Sequence, residues 1–438
     1  MNRLNTLPTY PRHPGATDEE LRRTAADILA ANWANDHTVP SRTLYPHQWS
    51  WDAAFISIGL AHVAPDRAWH DLRSLFTAQW PDGRVPHIVF DPGVAECDYF
   101  PGPAYWGRPT TGIVQPPAHA IAAWEIYRRR PDEAALRELR WLYPRLVAQQ
   151  DYLTDYRDVG GAGLSSIVHP WESGLDNSPS WDATLAAVPV PVDPLAGYRR
   201  RDNQVGAVDH RPTDLDYARY ITIASAYRDG GYRDAELAAR HPFLVECPAF
   251  NALRGAAELA LAEIAAVVGA DPAGHRDRAA AITRALTDRL YNPDTGMFHA
   301  RDVRTGRSSP ARCVNGLVPL ILPDLPAAQV AGVVAAAESA RFGLAEGLAV
   351  PSYDRTAADF DPLRYWRGPV WINVNWLLWR GLRTHGRVER AATLRTAMLD
   401  LIRSAGCYEY FDPGTGEGIG AAAFSWTAAL ALDLLAEG

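Results

Sequence analysis

The sequence predicts an all-α protein folded as a double-layered helical toroid. Amphipathic segments with apolar residues at helical spacing recur about a dozen times along the 438 residues. The connections between them alternate between short ones and long ones rich in Trp, Tyr, His, Asp and Gly. No residue-level repeat is visible, which sets aside a solenoid of stacked helix pairs. Helical hairpins arranged in a ring, with function on one rim, satisfy all three observations.

The elements follow in order. Residues 1–16 contain Pro8, Pro11 and Pro14 and are expected to form an extended arm, because proline fixes φ and removes a backbone donor. Thr17 and Glu20 make a capping box, and Leu21, Ala25, Ile28, Leu29 and Trp33 follow as one apolar stripe. Further helices are expected near 52–64, 67–79, 115–129, 132–156, 213–229, 249–268, 272–290, 326–341, 370–385, 388–404 and 422–436. In the segment from 249, Phe250, Leu253, Ala257, Leu261, Ile264 and Val268 share a face, and Gly269 offers the stop. Strand signals are sparse, with short hairpins expected at 293–304 and around 84–90. No linker, charge run or low-complexity stretch interrupts 17–438, which reads as a single domain.

Composition narrows the function. A net charge of −8 argues against nucleic acid or an anionic membrane surface as the main partner. Cys97, Cys247, Cys313 and Cys407 are far apart, so neither a zinc site nor a disulfide framework is expected. The histidines lack i, i+4 metal spacing, and no metal or other cofactor is expected. No apolar run reaches the ~18 residues of a membrane span, and the N-terminus lacks a signal core; a cytoplasmic protein is expected. Assembly into a homo-oligomer stays open. The 15 Trp and 18 Tyr residues suit the flat CH faces of a small polar ligand such as a sugar, with carboxylates and amides for its hydroxyls.

Four loops concentrate that chemistry. The first, YPHQWSWD, runs from Tyr45 to Asp52 and includes Trp49 and Trp51. Asp52 alone would be explained as a helix N-terminal partner worth roughly 0.3–1 kcal/mol, but capping does not require the whole octet. The second, HPWESGLDNSPSWD from His169 to Asp182, holds Glu172, Asp176 and Asp182. A helix cap accounts for one of the three. A carboxyl near aromatic walls loses solvation and holds its proton, as a general acid must. Local chemistry does not choose among the three. The third, RYWRGPVWINVNW, carries Tyr365, Trp366 and Trp371 toward a cleft, while Trp376 and Trp379 fit a core better. The fourth, YEYFDPGTGEGIG, sets Glu409 between two tyrosines as a candidate base. Its glycines, Gly414 to Gly420, read as a flexible connector; the Lys and Ser/Thr of a phosphate loop are missing. A glycosidic bond is cut by an acid on the leaving oxygen and a base or nucleophile on the opposite face, so two carboxylates from distant segments fit that reaction.

The stretches YPHQWSWDAAF, GRVPHIVF, TGIVQPP, HPWESGLDNSPSWD, RPTDLDY, PAFNALR, YWRGPVWINVNW and YEYFDPGTGEGIGAAAFSWTAA together resemble glycoside hydrolase family sixty-three, in its bacterial mannosylglycerate and glucosylglycerate hydrolase branch. The resemblance spans about residues 45 to 430. It implies an (α/α)6 barrel and hydrolysis with inversion, with Asp176 as general acid and Glu409 as general base. It also implies a substrate pocket made by Tyr45, Trp49, Trp51, Asp52, His87, Gln115, Tyr365, Trp366 and Trp371. A glycerate aglycone carries a carboxylate that needs a cation; Arg211 is the candidate, with Tyr217 beside it. Ser180 stands where many relatives carry Arg. The expected substrate is therefore a 2-O-α-glycosyl-D-glycerate, glucose being slightly preferred over mannose as its sugar. The alternatives are an α-glucosidase or trehalase-like enzyme on neutral oligosaccharides, a sugar isomerase or epimerase on a similar barrel, and a carbohydrate-binding protein without catalysis.

Overall fold

A computed structural model describes residues 15–95, 101–190, 200 and 208–437. The expected arm lies almost wholly outside the described residues, as does Cys97. The long helices alternate between two layers. The outer layer holds α1 (Asp18–Ala31), α3 (Pro65–Thr77), α5 (Glu133–Asp155), α8 (Ala273–Leu290), α9 (Ala327–Glu338) and α11 (Val388–Ala405). The inner layer holds α2 (Ser50–Val63), α4 (His119–Arg129), α7 (Pro248–Val268), α10 (Ile372–Thr384) and α12 (Ser425–Ala436). A sixth inner position, between α7 and α10, is filled by the single turns Val314–Gly316 and Val318–Ile321. Helix α6 (Asp214–Asp229) belongs to the excursion between α5 and α7. Inner neighbours touch in the order α2, α4, α7, the short turns, α10 and α12, and α12 packs back on α2, so the ring closes. This is the (α/α)6 barrel.

Burial explains the two layers. Every residue of α2 from Ser50 to Leu60 is buried, and so is every residue of α12 from Ser425 to Leu435. Helices apolar on all sides must be surrounded. Outer helix α1 buries only Leu21, Ala25 and Leu29, one stripe at helical spacing, and its capping box forms as the sequence predicts. The ring closes tightly: a Cβ on Gly59 of α2 would come within 2.2 Å of Ala429 Cα in α12. Among the described residues no helix is long and apolar enough to cross a membrane.

Several boundaries differ from the sequence expectation. Helix α1 ends at Ala31, and Trp33 instead pairs with Thr38 in a small antiparallel ladder. Helix α4 begins at His119 rather than 115, because Pro116 and Pro117 disfavour helical geometry in the residues before them. Residues 84–90 form no local hairpin; Ile88 and Val89 pair with Trp49 and Gln48. The other expected hairpin exists but starts earlier, Tyr291–Asn292 pairing with Met297–Phe298. The glycine-rich segment after Glu409 is a strand, Gly418–Ala422, paired with Tyr408–Phe411, not a connector. Its glycines serve close approach, since a Cβ on Gly418 would lie 2.2 Å from the Tyr408 ring.

Buried imidazoles make the fold sensitive to acid. Burial lowers His169 and His87 to about 3, and His119 and His241 to about 4, from 6.5. The unfolded chain therefore takes up these protons first as pH falls below about 6.5, and stability declines from there toward pH 4. Asp71, raised to about 7 chiefly by burial, opposes this between about 4 and 7 by favouring the folded state at low pH. The four imidazoles outnumber the three carboxyls raised by burial, Asp71, Asp52 and Asp151, and predict a falling melting temperature between pH 6.5 and 4, read by calorimetry. A constant value over that interval would contradict it.

Candidate active site

One pocket opens on the rim where the inner helices begin. It is lined from α2 by Trp51 and Asp52, from the cap of α10 by Trp371, and from the start of α12 by Phe424 and Trp426. The remaining walls come from helix α6 through Tyr217, from short strands through Trp49 and Glu409, and from loops through Tyr45, His87, Gln115, Asp176, Arg211, Tyr365 and Trp366. All thirteen residues singled out in the sequence thus line a single cavity. Trp171, Gly174, Phe424 and Trp426 line it as well and were not singled out. Trp171 offered a signal beside Glu172, and Trp426 one at the head of a predicted helix, but single tryptophans are usually core.

Glu409 sits on the strand Tyr408–Phe411 and is almost fully buried. The Tyr45 hydroxyl donates to its Oε1 at 2.7 Å. The Arg211 guanidinium and the Ala421 N–H donate to Oε2 at 3.1 and 3.0 Å. Arg211 also donates to the Tyr45 hydroxyl at 3.0 Å, which closes a ring of three side chains. The space for Oε2 exists because residue 420 is glycine: a Cβ there would lie 2.4 Å from that oxygen, and φ is +77°. Gly420→Ala is expected to displace the carboxylate and strain the backbone by about 1–3 kcal/mol. Turnover should fall further than the melting temperature suggests; an unchanged kcat would show that Glu409 tolerates the shift.

The second loop sorts its three carboxylates. Glu172 is completely buried and takes two guanidinium bonds from Arg157, at 2.8 and 2.9 Å. It also accepts the N–H groups of Val114 and Val168, at 3.1 and 2.7 Å. Asp182 pairs with Arg367 through two bonds, at 2.9 and 2.8 Å. Both are structural clasps, to the Gln115 loop and the third loop respectively. Asp176 is the one that lines the pocket. Its carbonyl accepts Trp181 Nε1 and the Tyr220 hydroxyl, at 2.8 and 3.1 Å, which anchors the turn. Gly174, at φ +71°, lets this turn lie on Trp51, whose ring a Cβ would approach to 2.4 Å.

The walls are largely aromatic. Trp366 and Trp371 stack with ring centroids 3.8 Å apart, and Tyr410 continues the stack at 4.7 Å. Tyr365 holds a left-handed φ of +38°, a strain of the kind that gathers at functional sites. Its hydroxyl stands 3.4 Å from that of Tyr45. Gln115 accepts the Trp51 N–H at 3.0 Å and so ties its loop to the head of α2. Burial pushes the Asp52 carboxyl well above the usual range; its own backbone N–H opposes this, and the charges of Glu409 and Asp176 add to it. Burial keeps His87 neutral, stacked beside Trp171. Arg211 is buried, and is the sole Arg or Lys among the described lining residues. The Arg200 guanidinium packs 3.8 Å above the Tyr217 ring.

Comparison with known proteins gives this arrangement its relatives. The profile of the mannosylglycerate hydrolase MGH1-like glycoside hydrolase domain matches residues 45–427. A mannosylglycerate hydrolase of Rubrobacter radiotolerans is 40% identical, over 97% of this chain and 98% of the relative. A glucosylglycerate hydrolase of Mycolicibacterium hassiacum is 36% identical, over 97% of this chain and all of the relative (100%). Among solved structures, the family 63 mannosylglycerate hydrolase of Thermus thermophilus in complex with Tris and D-glycerate superposes with a TM-score of 0.89 at 39% identity. That match covers 94% of this chain and 99% of the other. Neutral trehalase Nth1 of Saccharomyces cerevisiae shares the fold alone, with a TM-score of 0.56 at 14% identity. The chain belongs to the mannosylglycerate hydrolase-like branch of glycoside hydrolase family 63, and is an O-glycosyl hydrolase.

Proposed function

We propose that the chain hydrolyses a 2-O-α-glycosyl-D-glycerate, with glucose or mannose as the sugar, to free hexose and glycerate. The observation that carries this is a buried arginine in an otherwise aromatic and acidic sugar pocket. Beyond its bonds to Glu409 and Tyr45, Arg211 has N–H donors left for a glycerate carboxylate, whose charge-assisted bonds are stronger than those a neutral disaccharide's hydroxyls make. The relatives named for mannosylglycerate and glucosylglycerate support the same substrate class. In this reading Asp176 protonates the glycosidic oxygen. Glu409 takes a proton from the water that attacks C1 on the opposite face, and the product is the inverted β-hexose. Asp52, Trp49, Trp51 and Gln115 receive the sugar; Arg211, Tyr217 and Tyr365 receive the glycerate.

The test is a panel of glucosylglycerate, mannosylglycerate, trehalose and kojibiose. Proton NMR of the first product formed reports its anomer. One or both glycerates should be turned over far faster than either disaccharide, with β-hexose appearing first. Equal turnover of the neutral sugars would refute the glycerate assignment, and initial α-hexose would refute inversion.

A further inference from the structure

We infer that Arg211 is a positioning residue for the base, so that one guanidinium aligns Glu409 and holds the substrate carboxylate. This rests on the proposed glycerate substrate only for its second half; the first half stands on geometry. An arginine that served only as an anion anchor would point its donors into the cavity. Arg211 instead spends one N–H on Glu409 Oε2 and another on the Tyr45 hydroxyl, which itself donates to Glu409 Oε1. The three side chains lock the plane of the carboxylate. The guanidinium is in turn fixed by ring faces, 4.6 Å from the Tyr365 centroid and 5.9 Å from that of Tyr410. Of its five N–H donors, three are not committed to Tyr45 or Glu409, so a substrate carboxylate can be held without releasing the base.

The arrangement also meets an electrostatic need. Asp52 and Asp176 line the same cavity as Glu409; the charges of Glu409 and Asp176 help to raise Asp52 toward its neutral form, while the Arg211 guanidinium compensates the Glu409 charge at 3.1 Å. A carboxylate released from Arg211 and swung out of line no longer presents a lone pair to the water. A misplacement of about 1 Å can cost about 10²-fold in rate.

A glycosyl fluoride separates the two duties. It has no carboxylate to bind. Its C–F bond breaks with the electron pair leaving as fluoride, so no acid is needed. Water oxygen bonds to C1, and the water proton passes to Glu409. The parent enzyme and Arg211→Ala, Arg211→Lys and Tyr45→Phe are compared on α-glucosyl and α-mannosyl fluoride and on the glycerate glycoside. Arg211→Ala should lower kcat on the fluoride by about 10²-fold with little change in KM. Added guanidinium ion should restore part of that kcat, and Arg211→Lys should fall between the two. If Arg211→Ala keeps the parent kcat on fluoride and only its KM for the glycerate glycoside rises, the residue is an anchor and the inference is wrong. If the parent turns over fluoride but neither glycerate glycoside, the proposed substrate fails while the fluoride comparison still decides the role of Arg211. Should Arg211→Ala not fold, Tyr45→Phe opens the same ring without removing charge. A drop in its kcat on fluoride supports the locked carboxylate, and parent turnover overturns it.

Discussion

Asp176→Asn and Glu409→Gln are each expected to lower turnover of the glycerate glycoside by roughly 10²–10⁴-fold or more while leaving substrate binding nearly intact. The two losses should differ in kind. The acid is needed in proportion to how poor the leaving group is, so a substrate with an activated aglycone should recover much of the rate of the Asp176 variant. The base is needed whatever the leaving group, so the same substrate should not rescue Glu409→Gln. Azide, a small nucleophile needing no deprotonation, should rescue Glu409→Ala and yield the inverted β-glycosyl azide. Steady-state kinetics on both substrates and NMR of the azide product check this. Parent-like activity in either carboxylate variant would remove that residue from the mechanism.

The largest stability loss is expected at a carboxylate with no part in bond breaking. Glu172 and Arg157 are both completely inaccessible, and Glu172 is bonded by four donors. Glu172→Leu costs Arg157 two guanidinium bonds and leaves its charge with the Tyr152 and Tyr227 hydroxyls and with Asp234, at 3.1 Å, which Arg84 already shares. Breaking a buried pair from one side costs about 3–5 kcal/mol. Replacing both ends, as in Arg157→Met with Glu172→Leu, removes the under-compensated charge and should recover part of that loss. The backbone N–H groups of Val114 and Val168 stay unpaired in both cases, so recovery should be incomplete. Denaturant unfolding of the two single variants and the double variant closes the cycle. Additive losses would mean that the two side chains do not act as a pair.

Much of the fold was legible because its signals are local. The helical stripe of α1 and the stop at Gly269 each need only neighbouring residues to be read. The pairing of Ile88 with Trp49 was not legible, since nothing within 84–90 marks its partner. The strand Gly418–Ala422 was missed because glycine's local preference is for freedom, and only the Tyr408 ring and the Glu409 carboxylate across the hairpin explain the choice. Many of the pocket residues stand where aromatics and carboxylates cluster in the sequence, whereas His87, Gln115 and the choice of Asp176 came from the family resemblance, and Arg211 and Tyr217 from the charge of the expected aglycone. The choice among Glu172, Asp176 and Asp182 depended on Arg157 and Arg367, one close in sequence and one far, and no local pattern distinguishes a clasp from a site.

The closing contact of the ring has a consequence for when this enzyme can act. Trp51 and Asp52 stand on the first inner helix, Glu409 and Trp426 on or beside the last, and Gly59 packs against Ala429 where they meet. The pocket is therefore bounded by early and late parts of the chain at once. No stretch that stops short of Trp426 contains it, so a nascent or clipped chain with most of its helices formed is still not a hydrolase. Activity is a readout of ring closure, and loss of the α2–α12 seam should silence the enzyme before the outer helices melt.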